Sequence, residues 1–397
     1  MGHVACALLL ALAEVQVEAR AELRGGEAPA FAGQAPESTA RSTLQPEAGL
    51  VLRAREGQTR LHYGPRLTLR APSPAGTEQP LVMHLAGVEH EQRLLRGVRG
   101  RAEVSTSFGD VDYAGLSQTL GPGQSTLPTL TRLLSLGGGA SVEVREVQRW
   151  ILQTNVSVAH QRPLDPGAPP STGAALQQST SVGLAQSARH ALTRREDVTL
   201  ALGVSDQSLS SGLHLVAFEP GATLHRRLSR ASTLELGLGV VIAGALARPA
   251  GAGEPAIASP VGLAGLRSRV RPARGVVLEG NASLAASWAV DPVLVTSLTR
   301  GTASAGVFAT FHRDLRVGAS AQFSTSVSRA PLPGDPDETV LRAEVPVRYR
   351  LSPLLAVEVG GRYSDRGHHL AANTIGLHQR ELWLYLQLVA SAHARVY

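Results

Sequence analysis

The sequence predicts an all-β chain folded as a single antiparallel up-and-down transmembrane β-barrel of about 16 strands, within about 14 to 18. Three observations lead there: a residue-by-residue alternation of apolar and polar side chains, an alternation of tight turns with longer loops, and the lack of any helix-length apolar run. Alternation is clearest between Val276 and Val327. In Gly301 to Phe311 the odd positions are Gly, Ala, Val and Phe, set against Thr302, Ser304, Gly306 and Thr310. Leu315, Val317, Ala319, Ala321, Phe323 and Val327 then alternate with Arg316, Ser320, Gln322, Ser324 and Ser326. A strand projects successive side chains to opposite faces, so each segment has one greasy and one wet face.

Taken in order, residues 1–13 read as a secretory signal. Val4 to Ala13 is its apolar core and Ala11-Leu12-Ala13 a small-x-small cleavage site, with cleavage after Ala19 as the later alternative. Residues 20–46, rich in Ala, Pro, Gly and Ser, read as a flexible periplasmic N-terminal segment, which leaves 47–397 for the barrel. Strand-like segments follow at Gly49–Arg55, Thr59–Arg70, Leu81–His90, Val98–Gly109, Ser141–Val147, Ile151–His160, Leu176–Ala188 and Val198–Ser205. They continue at Leu213–Leu224, Ser232–Gly244, Val261–Val270, Gly275–Val290, Gly301–Phe311, Leu315–Ser328, Thr339–Arg350, Leu354–Ser364 and Thr374–Ser391. Single-chain barrels of this kind have an even strand number, so this odd set points to one split or spurious segment and hence to about 16.

Tight connections at His225 to Arg230, Arg271 to Arg274, His312 to Asp314 and Arg350 to Pro353 alternate with longer ones. The longer ones are Ala247 to Ser259, Asp291 to Arg300, Arg329 to Glu338 and Arg366 to Asn373, with Tyr113 to Gly139 and Arg162 to Ala175 longer still. A soluble sandwich has no reason to alternate in this way. On the leader, the two-faced strands and this loop asymmetry, which together span nearly the whole chain, the sequence resembles Gram-negative outer-membrane β-barrel proteins, though no particular porin or transporter family. Phe108, Tyr113, Trp150, Trp288, Tyr349, Tyr363 and Trp383 near strand ends fit the interfacial aromatics of such barrels, and the terminal Tyr397 fits their assembly signal. The resemblance implies residence in the bacterial outer membrane, with membrane lipid as the first partner.

Composition narrows the function classes. All 38 basic residues are arginine, and the formal net charge is +6. The arginines are scattered and often followed closely by Glu, as at Arg101 and Glu103 or Arg342 and Glu344, so no clustered nucleic-acid footprint is present. The one cysteine, Cys6, lies in the leader, which leaves the mature chain without a thiol, a disulfide or a cysteine metal site. G-x-S-x-G, GxxxxGK[ST] and H-E-x-x-H are absent, so no enzyme activity, cofactor or metal is expected. Asp365-Arg366-Gly367-His368-His369 reads as an exposed loop tip, and Gly137-Gly138-Gly139 as a hinge in a loop. Asn155 and Asn281 head glycosylation triplets that fall inside strands, where chance matches are expected.

Charged residues on the wet faces are the candidate lumen-facing set: Arg53, Arg66, Arg101, Glu103, Glu279, Arg316, Arg342, Glu344, Arg348, Glu358 and Arg362. An Arg in the bilayer midplane costs about 2–4 kcal/mol, so with lipid outside this set points inward. Either it makes a cation-rich lumen favouring anions, or it forms Arg/Glu ladders that only brace neighbouring strands. The function expected is a barrel with a polar lumen, read first as a passive channel for small solutes. The alternatives are a closed or plugged barrel acting as a structural or surface-interaction protein, and a secreted soluble β-rich adhesin-like protein. Oligomeric state is left open.

Overall fold

The computed structural model describes residues 13–28, 37–54, 56–71, 80–112, 130–145, 150–164, 178–210, 212–247, 257–291, 296–312, 314–328, 336–370 and 377–396. Eighteen strands make up the described secondary structure. The first nine are β1 (Ala13–Ala28), β2 (Glu37–Ala54), β3 (Gly57–Ala71), β4 (Leu81–Leu95), β5 (Val98–Asp112), β6 (Leu130–Arg145), β7 (Trp150–Pro163), β8 (Ser179–Ala191) and β9 (Glu196–Leu209). They continue as β10 (His214–Arg227), β11 (Ser232–Ala247), β12 (Ile257–Ala273), β13 (Val276–Asp291), β14 (Thr296–Phe311), β15 (Leu315–Ser328), β16 (Pro336–Ser352), β17 (Leu355–Leu370) and β18 (Leu377–Val396).

Every strand pairs antiparallel with its chain neighbours, and β1 also pairs with β18 from Ala13↔Val396 to Gly26↔Trp383. The sheet therefore closes on itself, with no free edge, as an up-and-down barrel. β1 and β10 lie nine strands apart in either direction and so occupy opposite walls.

The strand number falls inside the expected range but above its centre, for a definite reason. Each of the seventeen segments found in the sequence is one strand, β2 to β18; none is split, and the strand overlooked is β1. The segment 20–46 expected to be flexible instead contributes its residues 20–28 to β1 and 37–46 to β2, so the barrel wall begins at Ala13. β1 alternates strictly, Val15, Val17, Ala19, Ala21 and Leu23 against Glu14, Gln16, Glu18, Arg20 and Glu22. Ala, Glu and Arg have low strand propensity, so only the ladders on both sides make this sequence extended. Residues 1–12 of the expected signal lie outside the described residues, and cleavage after Ala19 would remove the first half of β1. Gly137, Gly138 and Gly139 are likewise in the middle of β6, not in a loop, and Asp365 to His369 belong to β17.

At one mouth the turns are short. β4–β5 and β12–β13 turn on Arg96-Gly97 and Arg274-Gly275, where Gly97 (φ 84°) and Gly275 (φ 81°) take the left-handed conformation that two-residue hairpins require. The opposite mouth carries the long connections, the longest between Asp112 and Leu130. Two connections there are only four residues long, β13–β14 and β9–β10, and in the latter Leu209 N–H donates to Leu213 O at 2.8 Å.

Partners in an antiparallel ladder share a face, so the register can be followed round the whole ring. One face carries Val17, Leu50, Leu61, Val88, Val104, Val142, Val156, Leu184, Leu202, Leu238, Leu284, Val307, Phe323, Val345, Val359 and Leu384, exposed as an apolar band. Leu238 is 80% exposed and Leu384 68%. Among the described residues, Asp and Arg side chains with this outward register sit in the outer thirds of strands. Examples are the pairs Arg132–Asp110 (3.0 Å) and Arg380–Asp365 (3.4 Å) toward the long-loop mouth.

Candidate functional site

The other face of the same strands is polar, and it is the concave one. The Tyr385 hydroxyl of β18 lies 2.8 Å from Glu344 Oε1 of β16, reaching past β17, where Gly360 stands opposite Tyr385 and leaves room for the ring. Side chains two strands apart meet in this way on the inside of a curved sheet. The lumen face is therefore the candidate site.

All eleven sequence candidates have the register of this face. They do not form one centre. Arg53 pairs with Glu14 (2.8 Å) near the β1–β2 wall. Arg101 bridges Glu103 (2.8 Å) and Glu89 (3.2 Å), two carboxylates that stand directly opposite one another on β4 and β5. Glu279 receives Arg269 at 3.2 Å and Arg316 at 3.4 Å, while the Arg316 guanidinium stacks 4.6 Å from the Phe308 ring centre. Arg348 stands opposite both Arg316 and Glu358 in the ladders. Arg66 on β3 and Arg342 on β16 stand opposite Met83 and Gln322.

The tightest group is Glu344, Glu358, Arg362 and Tyr385. Arg362 Nη2 donates to Glu344 at 2.9 Å, and the Tyr385 hydroxyl, 7% exposed as a residue, also lies 3.1 Å from Glu358 Oε1. One phenolic hydrogen cannot serve two carboxylates at once, so Arg362 supplies the positive charge that lets both crowd the same hydroxyl. Arg362→Ala is expected to destabilise the barrel by about 1–3 kcal/mol, with part recovered by Arg362→Lys, read by urea unfolding in lipid vesicles. A loss no larger than that of an exposed pair, under about 1 kcal/mol, would show that this group braces nothing.

Sequence reasoning missed most of the partners. Glu14, Glu89, Arg269, Phe308 and Tyr385 have no local signal, because what selects them is cross-strand register. On the β1–β2 wall the described lumen side chains include Glu14, Glu18, Glu22 and Glu47 against Arg20 and Arg53. Across the lumen, around β8 to β12, the balance shifts to Arg189, Arg227, Arg267 and Arg269 against Asp197, Glu219 and Glu235. Higher on that same wall the lumen face is mostly small, with Ala201, Gly203, Gly221, Gly237 and Gly239 around the one carboxylate of Glu219.

Near the long-loop mouth the lumen face of β10 and β11 turns apolar, with Ala217, Val241 and Ala243 buried together. Trp288 has outward register on β13, yet it packs against this inward-facing cluster, as Val261 also does. The β12–β13 ladder ends at Gly262↔Ala286, so beyond it the β13–β14 hairpin is free to pass inside the wall. Ser259 and Thr299 hydroxyls, 3.3 Å apart, tie it there.

Known structures share this architecture. The FrpB iron transporter of Neisseria meningitidis (F5-1 variant) aligns over 96% of this chain and 82% of its own, at 11% identity and a TM-score of 0.53. OccAB3 of Acinetobacter baumannii aligns over 96% of this chain and 99% of its own, at 11% identity and a TM-score of 0.50. The fold is that of an outer-membrane β-barrel. No protein-family model and no curated protein sequence matches the chain. Likeness at this level of identity carries the wall architecture and says nothing about which side chains line the lumen.

Proposed function

We propose that this chain is a non-enzymatic outer-membrane channel that passes small polar solutes through an Arg/Glu-lined lumen. The observation that carries the proposal is the division of faces around a closed ring of eighteen strands, apolar outward and charged inward. Barrels of about 16 to 18 strands are wide enough to hold an aqueous channel. Among the described residues every secondary-structure element belongs to the wall. A single closed sheet with an apolar band around its outside also argues against a secreted soluble protein, whose outer surface faces water.

The short-turn mouth, where β1 begins and β18 ends, is on this reading the periplasmic one. The lumen ion pairs brace the wall and set its field, and among the described residues no acid, base and nucleophile converge as catalysis would require. Fractionation with heat-modifiable gel migration is the first test, followed by planar-bilayer recording. The expected result is membrane-associated, heat-modifiable protein that gives stepwise single-channel currents. Recovery in the soluble fraction would overturn the membrane reading. Heat-modifiable protein without conductance would leave a closed barrel of the structural kind, for which the inward-passing hairpin at Trp288 is the supporting feature.

A further inference from the structure

We propose that the cavity at the short-turn mouth between β8 and β13 binds a small polyanion bearing two or more carboxylate or phosphate groups, held by Arg227 and Arg267 with Arg194 and Arg195 at its rim. The proposal rests on the lumen being aqueous, as the channel reading has it. The cavity has a volume of about 670 Å³, within the range of small-molecule sites. It exists because the wall beside the arginines carries Thr233, Gly265 and Ser283, side chains too short to fill it.

Two of its three acidic residues are already engaged: Asp197 accepts two bonds from Arg189, each 2.8 Å, and Glu196 faces Arg226 at 3.3 Å, while Glu235 has only the His225 ring, 3.8 Å away. The guanidinium groups of Arg194, Arg195, Arg227 and Arg267 have no acidic partner among the described residues. Four guanidinium groups without an acidic partner thus meet at one cavity, whereas those of Arg53, Arg101, Arg316 and Arg362 each meet a carboxylate.

Placement favours a ligand with more than one anionic group. Arg227 and Arg267 are both ladder partners of Thr233, so they share the lumen face and are separated by two strand spacings, about 10 Å at the backbone. Each guanidinium presents a planar fork of donors that matches the paired oxygens of a carboxylate or a phosphate. Chloride offers no such pair and engages one donor set at a time. The low-dielectric wall around a partly enclosed mouth focuses the field on whatever enters it. An exposed guanidinium holds a single charge weakly, so retention requires several of them acting on one molecule.

The test is isothermal titration of the full-length protein in detergent at low salt, with pyrophosphate and citrate as probes and chloride at matched ionic strength as the reference. Saturable binding of at least one probe is expected, weakened tenfold or more by Arg227→Gln with Arg267→Gln. Gln keeps length and polarity, and heat-modifiable migration certifies that the variant is folded. If that variant does not fold, the turn variant Arg194→Gln with Arg195→Gln replaces it, with the same direction expected. Pyrophosphate and citrate together separate phosphate from carboxylate preference, and either preference supports the site. Lack of saturable binding by both probes, or equal affinity in the wild type and the folded variant, overturns it. No membrane is involved in this readout. A protein that binds but passes no current loses only the channel reading, and one that conducts but binds neither probe loses only this site.

Discussion

Deleting residues 13–28 is expected to abolish assembly: the variant should lose heat-modifiable migration and become sensitive to protease along its length. β1 is paired on both sides, with β2 from Ala13↔Leu52 to Ala28↔Glu37 and with β18 from Ala13↔Val396 to Gly26↔Trp383. Its removal leaves two facing rows of unpaired N–H and C=O groups, and in hydrocarbon each such group costs several kcal/mol. Side-chain packing cannot offset that loss, since β1 presents mostly Val, Ala and Leu to the outside and mostly Glu, Gln and Arg to the lumen. A deletion variant that still migrates as a compact, heat-modifiable species would show that the ring closes without β1, through direct pairing of β18 with β2.

Leu238→Arg should cost about 2–4 kcal/mol of refolding free energy in lipid vesicles, the penalty of a guanidinium near the bilayer midplane. Leu238 sits part-way up β11 with Ala222 and Gly262 as its ladder partners, and it is 80% exposed on the apolar band. Thr223→Arg on the preceding strand is the control. Thr223 stands opposite Gly237 on the lumen face, where an added Arg reaches water, and its expected cost is under about 1 kcal/mol. Urea titration of both variants decides the matter. Equal costs would mean that the two faces do not meet different solvents.

Much of the wall was legible because a two-residue period is local, and strands β2 to β18 each had a segment that alternated. β1 was not, although its alternation is as strict as any. Glu14, Glu18, Arg20 and Glu22 sit among alanines directly after an apolar leader-like run, and composition outweighed the period. The same happened at Gly137 to Gly139, where glycine suggested a loop. Held between β5 and β7, those residues are extended because the neighbouring ladders leave the backbone no alternative.

The lumen set could be read for its face but not for its partners. Arg101 and Glu103 are two apart in sequence and were visible as a pair, whereas Glu89, the second carboxylate on Arg101, comes from another strand. Arg227 and Arg267, forty residues apart, become neighbours across β11 only once register is known, and by sequence alone Arg227 reads as part of a turn. Trp288 shows a further limit. Its alternation assigns it to the lipid side, and only the early end of the β12–β13 ladder lets it reach the interior.

The carboxylates on β1 and β2 and the guanidinium groups around β10 face each other from opposite walls, so the electric potential falls across the lumen and not only along it. On the channel reading, a zwitterion entering such a passage would be turned broadside, ammonium toward Glu47, carboxylate toward Arg227 and Arg267. Transit through the proposed channel would then be a sideways slide of an aligned dipole, and solutes of equal size and zero net charge would be sorted by dipole moment.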